Sequence, residues 1–207
     1  MKRWMYRRTN MGLDRIHDIQ AIYREVLDAM ARPGSIHSIE AQVSKEEVIS
    51  DCYVGTLALA KTLIDTEVTY YLPVAHAELN QLFCQHTHAK QAKLREADFL
   101  FILRQRNDVE LRESLLNAKR GTLTDPHQSA TIIVEVDQLS SKGDLILSGP
   151  GIETEMEIAI CGSEEWLEVR AEVNSEYPLG IDLIFIDANQ QIVCIPRTTQ
   201  MQRRVVE

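Results

Sequence analysis

Long apolar runs are missing from this sequence. With no stretch of about 18 apolar residues, no membrane-spanning helix is expected. Cysteine is scarce. Cys52, Cys84, Cys161 and Cys194 make no C-x-x-C pair. They read as reduced, buried thiols of a cytoplasmic protein rather than as disulfides. Basic charge is in deficit, with 22 Lys and Arg against 31 Asp and Glu and a formal net charge of −9. Nucleic acid is therefore not an expected partner, because neutralising phosphates needs a basic face. The same charge repels free anions at long range, so an anionic substrate needs a local arginine cluster or a partner subunit. No apolar core follows the basic stretch Lys2 to Arg8. It reads as an arm that frays or docks a partner, not as a secretory signal. Phosphate-binding glycine loops are also lacking. Gly149-Pro150-Gly151 is followed by no Lys-Ser or Lys-Thr and lacks the third glycine of a dinucleotide fingerprint. No internal repeat or low-complexity linker is present.

What is there suits one substantial core in 207 residues, 44% hydrophobic and 26% charged. From Leu13 to Ala31 apolar residues recur at steps of three and four: Ile16, Ile19, Tyr23, Val26, Leu27 and Met30. That spacing predicts a helix with these residues as its inner stripe. Pro33 and Gly34 stop it. Ile36 to Val43 can be an extended segment, although its alternation is imperfect. Ser44 to Glu47 has the form of a capping box. Helices are predicted over Val54–Ile64, Ala75–Ala89, Asp108–Arg120 with Asn107 as cap, and Glu164–Tyr177 after Ser163. Strands are predicted over Val68–Leu72 before Pro73, Ala97–Leu103, Thr131–Val136, Leu145–Leu147, Ile181–Ile186 and Gln191–Ile195. The last two form a hairpin about the turn Asp187 to Gln190. Ile152–Cys161 alternates with period two, as a strand does, although its glutamates favour helix. Interleaved strands and helices give an α/β class with a mixed sheet in three layers. The organisation reads as an arm (1–12), a single α/β domain (13–199) and a loose polar tail (200–207).

The strand ending at Ser148 is stopped by Gly149, Pro150 and Gly151, because proline fixes φ and glycine reaches angles other residues resist. This loop reads as structural. Asp125 and His127 flank Pro126 and form the nearest approach to a general-base unit, since a carboxylate can orient an imidazole. The competing reading is a turn capped by Asp125. Asp182 lies inside the most apolar strand, where a carboxylate needs a partner: a catalytic site, an arginine or backbone amides all serve. Arg197, flanked by Thr198 and Thr199 at a strand end, has the donors to clamp a phosphate or carboxylate, as does Arg32. For both, a cap or surface ion pair is the alternative. His86 and His88 are two apart, the wrong spacing for a shared metal on a helix. No metal site is expected.

Five motifs in order support a resemblance. They are Ala29 to Gly34 (AMARPG), Gly121-Thr122-Leu123 with Asp125-Pro126-His127, Leu147 to Ile152 (LSGPGI), Tyr177 to Leu183 (YPLGIDL), and Pro196 to Thr199 (PRTT). Together they resemble the PhnH family of the bacterial carbon–phosphorus lyase system, over roughly Leu13 to Thr199. The resemblance implies a fold similar to a truncated pyridoxal-phosphate-dependent transferase, without the cofactor site. No cofactor is then expected, and none of the seven lysines has a recognisable Schiff-base context. The resemblance also implies a core complex with PhnG, PhnI and PhnJ. A homodimer in isolation is expected as well, because a truncated fold leaves apolar surface and homo-oligomers are most often two-fold dimers. That assembly transfers an alkylphosphonate onto the ribose of ATP with release of adenine. A stand-alone enzyme acting on an anionic substrate through Asp125, His127 and Arg197 is the alternative.

Overall fold

A computed structural model of the chain describes residues 16–44, 52–72, 77–104, 108–162 and 166–204. The arm 1–12, residues 45–47 of the capping box, Pro73, His76, Asn107 and Ser163 lie outside the described residues. In chain order the elements are α1 (His17–Ala31), β1 (His37–Ser38), α2 (Glu40–Val43), α3 (Val54–Leu63), β2 (Thr69–Tyr71), α4 (Ala77–Thr87), β3 (Lys90–Gln91) and β4 (Phe99–Ile102). There follow α5 (Asp108–Asn117), β5 (Thr131–Glu135), β6 (Gln138–Ser148), β7 (Met156–Cys161), α6 (Trp166–Val173), β8 (Asp182–Ile186), β9 (Gln191–Ile195) and β10 (Gln200–Arg203).

The large sheet has the order β1-β9-β8-β5-β4-β2-β3. Its centre is parallel: β5 pairs β4 on one side and β8 on the other. β9 then returns antiparallel to β8. The apolar runs of β4, β5 and β8 are explained by burial on both faces. Alternation divides each run between two cores. Phe101, Ile133 and Ile184 face the core covered by α1 to α4. Leu100, Ile132, Val134, Leu183 and Phe185 face the core under α5, α6 and a small sheet of order β10-β6-β7. The layers therefore match the expected mixed α/β arrangement, with one outer layer part helix and part sheet. The Ile152–Cys161 ambiguity resolves as strand over Met156–Cys161.

Two buried carboxylates set the edges of this frame. Glu135, at the end of β5, accepts from Tyr53 N at 2.6 Å, Thr56 Oγ1 at 2.6 Å and Arg104 N at 2.9 Å. It holds the start of α3 against the sheet. Asp187 closes the β8–β9 hairpin by accepting from Asn189 N and Gln191 N, both at 2.9 Å. Its other oxygen accepts from Leu139 N of β6. Both are buried acids paired with donors, as desolvation requires.

Four expectations need correction. The inner stripe of α1 is Ile22, Val26 and Ala29, while Tyr23 and Leu27 are 48% and 50% exposed and Ile16 more so. The helix carries two apolar stripes, and packing chooses between them. Within Ile36–Val43 only His37 and Ser38 are extended; Ile39 and Val43, four apart, are buried by a helical turn. Residues 200–203 are not loose. They pair along β6, Gln200 with Ser148 through Arg203 with Leu145. The pairing covers a strand edge and packs Met201 against the second core. All four cysteines are free, but Cys84 and Cys161 are exposed. They face outward from α4 and β7. Burial pushes the Cys194 thiol pKa up, and Asp182 adds to the effect.

Candidate functional site

The five motifs lie far apart in sequence and meet in the structure. They occupy the exit of α1, the ends of β6 and β9, the entry to β8 and the 121–129 loop. The β6 exit turns at Gly149-Pro150-Gly151, with Ile152 N donating to Gly149 O at 3.1 Å. Gly149 has φ +127° and Gly151 has φ +85°. Gly151 rests against the carbonyl of Ala31, where a Cβ would also stand 2.8 Å from Pro33 Cδ. A Cβ on Gly149 would stand 3.1 Å from Thr198 O. The AMARPG turn, the LSGPGI turn and the PRTT turn are thus stacked, and glycine is required because backbone approaches backbone.

Arg197 is the knot of this junction. Its backbone N–H donates to Asp182 Oδ1 at 2.7 Å, and its Nη2 to Asp182 Oδ2 at 2.5 Å. Nη1 donates to Pro126 O at 2.8 Å, and Nη2 also to Ser129 Oγ. The two side chains are 16% and 20% exposed. Arg197 therefore uses its fork on Asp182 and on the 126–129 segment rather than leaving it free for a ligand. Of the readings open for Asp182, the arginine and the backbone amide are both present. Close by, Asn174 forms a two-point contact with Ile181: Oδ1 accepts from its N at 2.9 Å and Nδ2 donates to its O at 3.2 Å. Gly180 N donates to Arg120 O at 3.0 Å.

The other candidates are placed differently. Asp125 and His127 are both exposed. No hydrogen bond joins their side chains; the turn is held by Thr122 Oγ1, which accepts from Asp125 N at 3.0 Å. Arg32 is a surface residue paired with Asp28. Thr198 is exposed and Thr199 buried. His86 lies on α4, and His88 follows the helix with φ +59°. No group of three metal-ligating side chains occurs among the described residues.

Two constellations were not visible in the sequence reading. Ser35 Oγ lies 2.9 Å from His37 Nε2, and His37 Nδ1 lies 2.8 Å from Glu25 Oε2. The arrangement is that of a serine–histidine–acid triad, but Ser35 Oγ donates its one hydrogen to Arg32 O at 2.6 Å. The serine thus serves as partner of a helix-end carbonyl, and the imidazole as its support. The second is Arg170, 4% exposed on α6. Its Nη2 donates to Pro196 O at 2.7 Å and Thr199 O at 3.0 Å, holding the PRTT turn from beneath. Burial pushes its pKa down to about 10, opposed by the charge of Asp182. It stays cationic at neutral pH. Its signal was a charged residue on an apolar stripe: Trp166, Val169, Arg170 and Val173 form the inner face of α6. A groove of about 790 Å³ opens above it, between α6 and the segment from Arg197 to Arg203.

Residues 12–202 match the model of a family described as bacterial phosphonate metabolism protein (PhnH). The chain is 28% identical to alpha-D-ribose 1-methylphosphonate 5-triphosphate synthase subunit PhnH of Rhizobium meliloti (strain 1021), over 92% of this chain and 93% of that protein. It is 26% identical to a putative C-P lyase subunit protein, HtxG, of Stutzerimonas stutzeri, over 88% of this chain and 85% of that protein.

Proposed function

The chain belongs to the PhnH family of bacterial phosphonate metabolism proteins, and on that premise we propose that it is a subunit without a complete active site of its own. Its place is a carbon–phosphorus lyase assembly with PhnG, PhnI and PhnJ counterparts. There it supports transfer of an alkylphosphonate onto the ribose of ATP, with release of adenine and formation of ribose 1-phosphonate 5-triphosphate. The observation that carries this reading is the use made of the five motifs. Arg197 is directed at Asp182, Pro126 and Ser129, and the motif glycines at close backbone approach. Those residues build a junction; they do not surround a reacting atom. Tyr23 and Leu27, half-exposed on α1, supply apolar surface of the kind a subunit presents to a neighbour.

Expressed together with the three counterparts, the chain should co-purify with them, burying more than about 1,000 Å² in total. Alone it should scatter light as a dimer. Leaving it out of the reconstituted assembly should reduce adenine release from ATP and methylphosphonate to background. A strict monomer that binds none of the three, or turnover by the isolated chain lost with Asp125→Ala, would move the function to a stand-alone enzyme.

The fold is read as a truncated relative of the pyridoxal-phosphate-dependent transferases without the cofactor. Four of the seven lysines bear on the missing cofactor. Lys119 is paired with Asp98 at 2.7 Å, and Lys90, Lys93 and Lys142 are exposed. Mixing the protein with pyridoxal phosphate should give no stoichiometric aldimine absorbance. A band that borohydride fixes on a single lysine would reverse this.

A further inference from the structure

We propose that the groove between α6 and the PRTT turn is a binding site for a small molecule bearing a phosphate or phosphonate group, with Arg170 and Thr199 as its anion-holding residues. Three observations converge on it. The first is charge. Arg197 and Asp182 neutralise each other, which leaves Arg170 as a buried cation with no carboxylate of its own among the described residues. A buried charge without a counter-ion is costly, and a bound oxyanion supplies the missing one.

The second observation is the state of the polar atoms. Arg170 Nε and Thr199 Oγ1 are buried and have no hydrogen-bond partner. Most buried polar groups are satisfied, so two orphans on residues 29 apart in sequence but hydrogen-bonded to each other in the fold call for an explanation. Both residues line the same groove. Thr199 is only 2% exposed, yet its carbonyl is already bound by Arg170 while its hydroxyl is left over. The guanidinium likewise keeps donors beyond the two bonds made by Nη2. Arginine and a threonine hydroxyl are a donor set for phosphate or phosphonate oxygens.

The third observation is the shape of the groove. Its volume, about 790 Å³, suits a small organic molecule rather than a lone ion. Its walls include Leu167, Met201 and the exposed ring of Tyr177, apolar surface for the part of the ligand beyond the anion. The one carboxylate in its lining, Glu168, is exposed at the rim, where water screens it. The phosphonate alternative within this chemistry rests on the function proposed above; the oxyanion site itself rests on Arg170 and Thr199.

The test is calorimetric titration of the full isolated chain with inorganic phosphate, methylphosphonate and ATP, at low and moderate salt. Saturable binding of at least one is expected, weakening as salt rises. Binding of phosphate or methylphosphonate identifies a small free oxyanion, and binding of ATP alone identifies a nucleotide. Thr199→Val removes a hydroxyl that has no partner, so its melting temperature should equal or exceed that of the parent, while affinity falls about tenfold. Arg170→Gln should abolish binding. No saturable binding of any probe, or affinity unchanged in a folded Thr199→Val protein, would overturn the site. Because the isolated chain is used, that failure leaves co-purification with the counterparts untouched, and failure to co-purify leaves the titration untouched.

Discussion

Arg197→Ala should destabilise the chain by about 2–4 kcal/mol, read as a lower urea midpoint and a melting temperature down by roughly 5–12 °C. The substitution leaves Asp182 without its side-chain partner in a mostly buried place and removes the donors to Pro126 O and Ser129 Oγ. Removing one member of such a pair costs more than the pair contributes, because the remaining charge has already left water. Some of the loss is spared, since Asp182 still accepts from the backbone N–H of residue 197. Asp182→Asn should cost less than Arg197→Ala, because the amide oxygen keeps that backbone bond and the guanidinium keeps its bonds to Pro126 O and Ser129 Oγ. Arg197→Lys should recover only part of the stability, as an ammonium cannot reproduce a fork directed at Asp182, Pro126 and Ser129 together. A double-mutant cycle on Asp182 and Arg197 should show coupling well above that of the exposed pair Arg32–Asp28. Arg197→Ala with an unchanged melt would mean that the junction is not held as described.

Gly151→Val is expected to be the most damaging of the loop substitutions, at about 3 kcal/mol or more. Two costs add. A β-branched residue at φ +85° is strained by about 1–3 kcal/mol. Its Cβ would also press on the Ala31 carbonyl and on Pro33 Cδ. Backbone cannot move aside as a flexible side chain can, so α1 and the β6 exit must part. Gly149→Val carries the strain at φ +127° but meets its nearest atom, Thr198 O, only at 3.1 Å. It should cost about 1–3 kcal/mol. The order of the two urea midpoints is the decisive measurement. Equal midpoints, or no loss in either, would remove the argument for stacked turns.

Much of the large sheet was legible. The runs Phe-Leu-Phe-Ile, Thr-Ile-Ile-Val-Glu and Asp-Leu-Ile-Phe-Ile are short, apolar and bounded by polar residues, and they became β4, β5 and β8. The hairpin turn at Asp187 was legible for the same local reason, since an aspartate can accept from amides two and four residues ahead. The glycines of LSGPGI announced their positive φ angles. In each case the decisive contact is between near neighbours in sequence, or the residue type excludes the alternatives.

What failed to show depended on partners far along the chain. Gln200 to Arg203 has a polar composition that local reasoning assigns to a tail; it is a strand because β6 offers an open edge beside it. The choice between the two apolar stripes of α1 was made by the sheet and helices it packs on, not by its periodicity. Ile36–Val43 has an alternation too imperfect to decide, and burial of Ile39 and Val43 decided it.

The site divides in the same way. By itself the sequence determined which residues needed an explanation: an aspartate in an apolar strand, an arginine between a proline and two threonines, and glycines around a proline. It could not say that Asp182 and Arg197 answer each other, fifteen residues apart across the β8–β9 hairpin. Nor could it show that Arg170, on another element, is left as the buried cation beneath a groove. Local chemistry names a group and its requirement for a partner; only the packing of distant segments decides whether that partner is another residue or a ligand, because the low-dielectric environment that makes the requirement costly exists only once the chain has folded.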